Sequence, residues 1–438
     1  MKIARLLQLF FFLSIIIISS CSDNDEEFGD TSLISFEEAT FSEDQFIIYL
    51  TEDPNGKTFS FGAGTYNFTN TIPLADIENL TIKGAGIDET YFDFSNSAST
   101  SGEGIAAMDC SNLLFCGFTI QNTNGGNAIT ARNITGLRID GVGTVWPESS
   151  PDNGAYGIYP VESDDVIIEN CYAQAAVDAG IYSGQNKRVI LRNNRMTLNV
   201  FGMEVENNID AEVYGNEFYV NTAGLLVYDL AGVSRIKSGS NCKVYNNTFT
   251  DNNQTNFAEL GSTLAADVPP GFGIIYSATT SLEITNNTFV DNETSSILGV
   301  AYFLVDFNYD PASDTLFTFL NEDIYIHDNS YSTGGGTYNQ AGILDRPAGL
   351  LVWVTIAMNG FVKPDIFLDD QDYTAVGVPY AGSRPVIEES SDPILVEASF
   401  AQAGDGIITI TSTSLDDFAG TGTTHTDFDL VDVPSDCE

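Results

Sequence analysis

Positive charge is what this sequence has least of. Against 61 Asp and Glu it sets 16 Lys and Arg and two His, a formal charge of −45 over 438 residues. A field of that sign repels phosphate backbones and anionic lipid surfaces, which excludes nucleic acid as a partner. No His or Cys cluster has zinc-ligand spacing. No glycine-rich phosphate loop follows a strand and opens a helix, since GAGTY at residue 62 and GAGID at residue 84 read as turn glycines. Long apolar runs are missing as well, except at the N-terminus.

That run, Leu6 to Ile18, follows Lys2 and Arg5 and is short for a spanning helix. It reads as a signal peptide over residues 1–20, and ISSC resembles the lipobox of bacterial lipoproteins, with Cys21 as the lipidated first residue of the mature chain. The acidic SDNDEE that follows looks like the export signal of lipoproteins displayed on the outer surface of Gram-negative bacteria. The expectation is an outer-membrane, surface-exposed lipoprotein held to the membrane by its anchor. With Cys21 lipidated, five of the six cysteines remain, an odd number, so the chain is no disulfide scaffold.

What is present is a repeat. VIIENCYA, VILRNNRM, AEVYGNEF, CKVYNNTF, LEITNNTF and IYIHDNSY share alternating apolar residues followed by a polar residue or Gly and then Asn or Cys. The corner residues are Cys171, Asn194, Asn216, Asn247, Asn287 and Asn329. Their first intervals, 23 and 22 residues, suit one coil of a parallel β-helix, and the longer later ones suit coils with insertions on one side. A second series, Gly157, Gly180, Gly202 and Gly224, keeps the same period. Two ladders with one period predict an all-β fold, a right-handed parallel β-helix, over residues 58–345. Residues 21–57 would supply the tether and an N-terminal cap, and 346–438 a C-terminal cap with an irregular acidic tail. The Asn column is expected to form an inner amide ladder.

NGAYGIYPVES, DAGIYSGQ, NVFGMEVENN, NTAGLLVYDLAG and IYIHDNSY together resemble a family of exported, often lipid-anchored bacterial right-handed parallel β-helix repeat proteins. That resemblance implies the fold and export. More broadly the fold resembles that of pectate and alginate lyases, polygalacturonases and uronan epimerases, an analogy of scaffold that does not fix chemistry.

Strand alternation assigns faces. Ile158, Ile181, Met203, Leu225 and Ile274 should point inward, and Tyr159, Tyr182, Glu204, Leu226 and Ile275 outward. A second outward column holds Val161, Gly184, Glu206, Tyr228 and Ser277. Tyr159, Asp178, Tyr228 and Asp229 are then candidate substrate contacts, because aromatic faces beside carboxylates suit a sugar. Tyr182, Lys187, Arg188, Glu204 and Glu206 are candidate catalytic groups. A uronan lyase or epimerase needs a cation on the uronate and a base at C5, roles open to Lys187, Arg188 and Tyr182. The bland reading of the same wall is a solvated acidic face with stacked Tyr. Arg192 beside Glu169, and Lys243 between Glu212 and Glu283, read as cross-strand charge ladders, and His327 as a surface ladder residue. The acidic loops 306–314 and 367–373 are candidates for Ca²⁺. The expected function is to bind or process an extracellular polysaccharide, the alternative being a non-catalytic glycan-binding or structural surface lipoprotein.

Overall fold

The computed structural model describes residues 32–97, 102–302, 305–306, 309–310, 313–332, 343–344, 346, 349–358, 360, 362–372, 383–400, 408–431, 433–435 and 437. The signal peptide, Cys21 and the acidic run after it lie outside these residues, as do parts of both loops considered for Ca²⁺.

Three parallel sheets wrap one interior. Sheet I has 12 strands, from Leu33–Phe36 to Val386–Glu388. Sheet II has 12, from Ile72–Ala75 to Thr409–Ser412, and sheet III has 10 short ones, from Gly64–Asn67 to Ser330–Ser332. Each coil passes from sheet II to sheet I to sheet III, so coil strands pair in parallel with their equivalents one coil away; sheet II ends instead on an antiparallel pair, Leu395–Ser399 with Thr409–Ser412. The right-handed parallel β-helix is the fold. It reaches beyond the expected 58–345 at both ends, because Leu33–Phe36 pairs with Thr58–Phe61 and Ile366–Asp369 pairs with Ser295–Val300.

The corner sequence follows from backbone geometry. Asn193, Gly215, Asn246, Asn286 and Asp328 take φ between 53° and 65°, a left-handed bend that Asn, Asp and Gly tolerate best. The residue after each bend points inward. Asn216 Nδ2 donates to Asn247 Oδ1 at 3.0 Å and to the Leu191 carbonyl at 2.9 Å, and the Asn194 amide donates to Asn216 Oδ1 at 2.9 Å. Thus the expected amide ladder is present, running from Cys171 to Asn329. Two more ladders stand at the other corners: Asn199, Asn221, Asn252 and Asn292, and the shorter Ser163, Asn186 and Asn208.

The glycine column has a steric cause. A Cβ on Gly180 or Gly224 would meet the carbonyl oxygen of the next coil at 2.9 or 2.4 Å. Inside, Phe218, Phe249, Phe289 and Tyr331 stack at 4.5, 5.1 and 5.4 Å between ring centroids. At the N-terminal end the helix Glu43–Glu52, capped by Ser42, buries Phe46 and Leu50 over the first coils, as expected of a cap.

At the C-terminal end, the described residues of 425–437 run back across sheet I as a strap. The His425 amide donates to Glu283 at 2.6 Å, Thr426 exchanges two bonds with Asn241, and the Val431 amide donates to Asp165 at 2.9 Å. Arg138 reaches the Pro434 carbonyl at 3.3 Å, and Cys437 is disulfide-bonded to Cys116. Cys110, Cys171 and Cys242 are buried thiols. The tail is held because the wall it crosses offers side-chain acceptors and donors at rung spacing.

Replacing Asn216 by Ala strips partners from the buried Asn194 amide and Leu191 carbonyl. Urea titration should register a loss of about 2 to 5 kcal/mol; a loss under about 1 kcal/mol would show that the ladder contributes little.

Candidate functional site: a roofed carboxyl pocket

The outward columns assigned from alternation hold in register: Tyr182 pairs with Glu204, Glu204 with Leu226, Gly184 with Glu206, and Glu206 with Tyr228. Their solvation does not match the expected open wall. Long connections leave both edges of sheet II, residues 229–239 and 301–321 toward sheet I and residues 251–271 and 333–365 from sheet III. Described parts of these connections fold over the outer face, so the insertions flank one sheet on both sides rather than lying on one side of the coil. Val200, Phe201, Phe272, Ile275, Val352 and Phe400 belong to a second apolar cluster on that face, separate from the solenoid interior. Arg346 fastens part of the roof by donating to the carbonyls of Asn256, Ala258 and Ala266.

Beneath the roof lies a pocket of about 370 Å³. Its floor carries Asp178, Glu204, Glu206, Tyr156 and Tyr228. Asp178 is 4% exposed, Glu204 2% and Glu206 6%, so the solvated acidic face is corrected: these carboxyls are dry because the insertions cover them.

The groups form one hydrogen-bonded chain. The Tyr156 hydroxyl donates to Asp178 at 3.2 Å, and Asp178 and Glu204 are hydrogen-bonded side chain to side chain. The Tyr228 hydroxyl contacts Glu204 Oε2 at 3.2 Å and Glu206 Oε2 at 2.9 Å. A Cβ on Gly184 would meet the Tyr182 hydroxyl at 2.1 Å, so the missing side chain is what lets that ring fold over Gly184, whose register partner is Glu206. Thr263, from the roof, lines the same pocket.

Proton counting constrains the charge. Four bonds link two phenols and three carboxyls, and each bond needs one proton. The phenols supply two, so filling every bond places two protons on the carboxyls and leaves a single negative charge. Burial accordingly raises the pKa of Asp178, Glu204 and Glu206, with Asp178 and Glu206 raising Glu204 further by charge repulsion. Burial, then the neighbouring carboxylates, also lifts the Tyr156, Tyr182 and Tyr228 phenols well above their usual range.

The other expected site residues stand apart from the cavity. Tyr159 packs against both Tyr156 and Tyr182, 4.6 Å from each ring centroid in a cluster of three rings, and is not among the residues lining the pocket. Asp229 is 2% exposed and accepts the Gly239 amide at 2.6 Å, so it fastens the 229–239 connection instead of facing the cavity. Lys187 and Arg188 open a sheet I strand, Lys187–Arg192, and neither lines the pocket. Arg188 grips Asp165 with two bonds of 2.7 and 2.8 Å, and the same Asp165 holds the strap. Among the described lining residues there is no Lys, Arg or His. Arg192 pairs with Glu169 at 2.6 Å and Lys243 with Glu283 at 3.0 Å, the charge ladders expected. His327 continues the column of Thr285 and Tyr245.

Tyr156, Thr263 and the roof were missed. One signal existed for the roof: Leu226 and Ile275 are apolar residues in an outward column, which makes sense only if something covers them. For metals, the described residues bring ligand atoms of Glu212, His425 and Asp427 within 4.8 Å of one another where the strap meets sheet I, a group that could hold an ion. An imidazole among two carboxylates suits a transition metal better than Ca²⁺.

Fold and site together define a right-handed parallel β-helix with a roofed carboxyl pocket on one wall. The family model of the right-handed β-helix region matches residues 133–308, which contain every floor residue of the pocket. Curated proteins gave no match. Similar solved structures include the A-module of Azotobacter vinelandii mannuronan C-5 epimerase AlgE4, 15% identical over 76% of this chain and 86% of that one, TM-score 0.47. The DFA-IIIase of Arthrobacter chlorophenolicus is 14% identical over 82% and 80%, TM-score 0.49. An exopolygalacturonase of Thermotoga maritima is 12% identical over 84% and 90%, TM-score 0.47. These are likenesses of coil, and no chemistry passes from them to this chain.

Asp229 gives a pH test. Burial pushes its pKa up to about 8, against an ordinary 3.8, so the folded state keeps a proton that the unfolded chain releases. Its stabilisation is complete below about pH 4 and drains as pH rises to about 8. Over that window the wild type should lose on the order of 5 kcal/mol more than Asp229→Asn, read from denaturation midpoints at each pH. Parallel pH profiles would contradict the buried, protonated carboxyl.

Proposed function

We propose that the protein processes an extracellular polysaccharide of neutral sugars by hydrolysing a glycosidic bond in the roofed pocket. The observation that carries this reading is the buried chain of three carboxyls and two phenols with no cation among the described lining residues. A uronate would bring its own negative charge to three acidic groups with nothing to offset it, which favours a neutral substrate over the uronan lyase or epimerase alternative.

Roles follow from the bonding. Glu206, receiving the Tyr228 phenol at 2.9 Å, is the group best held as a carboxylate. Glu204, raised by burial and by the neighbouring Asp178 and Glu206 and backed by Asp178, is the one best held protonated. Because one hydroxyl touches both, their nearest oxygens lie within about 6 Å, a separation that suits a retaining double displacement rather than the wider inverting arrangement. In the first step a Glu206 oxygen attacks the anomeric carbon, the glycosidic C–O bond breaks, and the Glu204 proton passes to the leaving oxygen. In the second, ionised Glu204 takes a proton from water, the water oxygen bonds the anomeric carbon, and the ester to Glu206 breaks. Asp178 and Tyr156 position Glu204 through their hydrogen bonds.

With purified residues 22–438 and a panel of neutral glycans, Glu204→Gln and Glu206→Gln should each lower kcat by about 10² to 10⁴-fold. Lys187→Ala should stay within about twofold of wild type. NMR of the first product should show the substrate's anomeric configuration. An unsaturated, ultraviolet-absorbing product from alginate or pectate, lost in Lys187→Ala and kept in Glu204→Gln, would replace this reading with the lyase.

We propose further that the mature chain begins at a lipidated Cys21 and stands on the outer-membrane surface. The apolar run, the small residues before Cys21 and the acidic stretch after it support this. Detergent phase partitioning should move the protein from the detergent to the aqueous phase on Cys21→Ala; a wild type found in the aqueous phase removes the anchor.

A further inference from the structure

The outward column that supplies Glu204 changes character along the helix axis. In register it reads Tyr182, Glu204, Leu226, Ile275, Leu298 and Phe367. Its second member, Glu204, belongs to the carboxyl chain, and its last four are apolar and line the same cavity. At the spacing of neighbouring strands, those four rungs run about 14 Å from the carboxyl floor. The roof matches them: Val268 from residues 251–271, and Leu351 and Val352 from the helix Gly349–Met358. Ile275 and Leu298 are 7% and 8% exposed and Phe367 1%, so this is a covered channel rather than an open stripe.

A chain of plain neutral sugars fits only part of such a cavity. Every hydroxyl laid along the four apolar rungs would lose its water and find no partner on the column side, at a cost that unsubstituted sugars cannot recover. The carboxyl floor, by contrast, can bond several hydroxyls. Polar floor and apolar channel share one column and one cavity of about 370 Å³, large enough for a small ligand with two unlike ends.

Resting on the hydrolase reading for its sugar end, we propose that the pocket's ligand is a glycoside bearing an apolar chain, with the sugar over Asp178, Glu204 and Glu206 and the chain lying along Leu226, Ile275, Leu298 and Phe367. The chain is either an alkyl aglycone or an acyl ester on the sugar. Both present the same chemistry to the channel, a sugar continued by methylenes.

Binding to Glu204→Gln, which leaves the apolar channel whole and does not consume ligand, tests this by calorimetry with methyl glucoside, octyl glucoside, octanoyl glucose and octanol, all below micelle onset. Octyl glucoside or octanoyl glucose should bind at least 100-fold more tightly than methyl glucoside and at least tenfold more tightly than octanol, since each buried methylene adds severalfold. The tighter of the two identifies the linkage. Ile275→Gln and Leu298→Gln should each cut the advantage of the eight-carbon chain at least tenfold, with circular dichroism and melting confirming the fold. Equal binding of methyl and octyl glucosides, binding of octanol as tight as that of octyl glucoside, or binding of none overturns the proposal. The hydrolase reading falls separately: if the wild type cleaves plain neutral oligosaccharides as fast as chain-bearing ones, hydrolysis stands and the apolar ligand falls. If chain-bearing glycosides bind as expected and none is cleaved, the ligand class stands and hydrolysis falls.

Discussion

Everything in this molecule depends on register between neighbouring coils, and register is held at the corners. A parallel ladder alone can slip by two residues and keep its faces. The amide ladders prevent this, because each Asn bonds both the next Asn and a backbone carbonyl of the preceding coil, and a slipped strand would leave those buried groups unpaired. Only with that register fixed do Asp178, Glu204, Glu206 and Tyr228, drawn from three successive coils, arrive at one point. The site is assembled by the scaffold's repeat distance.

The second physical ingredient is dryness. A carboxylate on an exposed strand face of a strongly acidic protein is ordinary. The same carboxylate beneath Phe272, Val268 and Leu351 is forced either to keep a proton or to find a donor, and the three floor carboxyls do both. Asp229 shows the same pressure used structurally: it is dry too, yet its partner is the Gly239 amide and it serves the connection rather than the cavity.

Periodicity made the fold and the facing of side chains legible. The alternation in FGMEVE and AGLLVY was enough to put Glu204, Glu206 and Tyr228 on one surface, and the Asn and Gly columns were enough to count coils. What breaks the period was not legible in the same way. The insertions that roof the wall have no repeat to align, and their docking depends on tertiary fit, so the burial of Asp178, the part played by Thr263 and the displacement of Asp229 from the cavity could not be read. Lys187 and Arg188 misled for a related reason. They follow Tyr182 and Gly184 closely in sequence, but the chain turns a corner at Gln185 and Asn186, and past it the strand belongs to a different sheet.

A solenoid held only by neighbour-to-neighbour contacts can fray coil by coil from its last rung. The strap alters that. It touches strands carrying Glu283, Asn241, Asp165 and Arg138 before its covalent bond to Cys116, so the last residues of the chain are secured to an early coil 321 positions away. Peeling the C-terminal coils away would first have to lift a seam stitched across the rungs beneath them, which couples distant coils and makes the stack behave less like a row of dominoes than like a bound book.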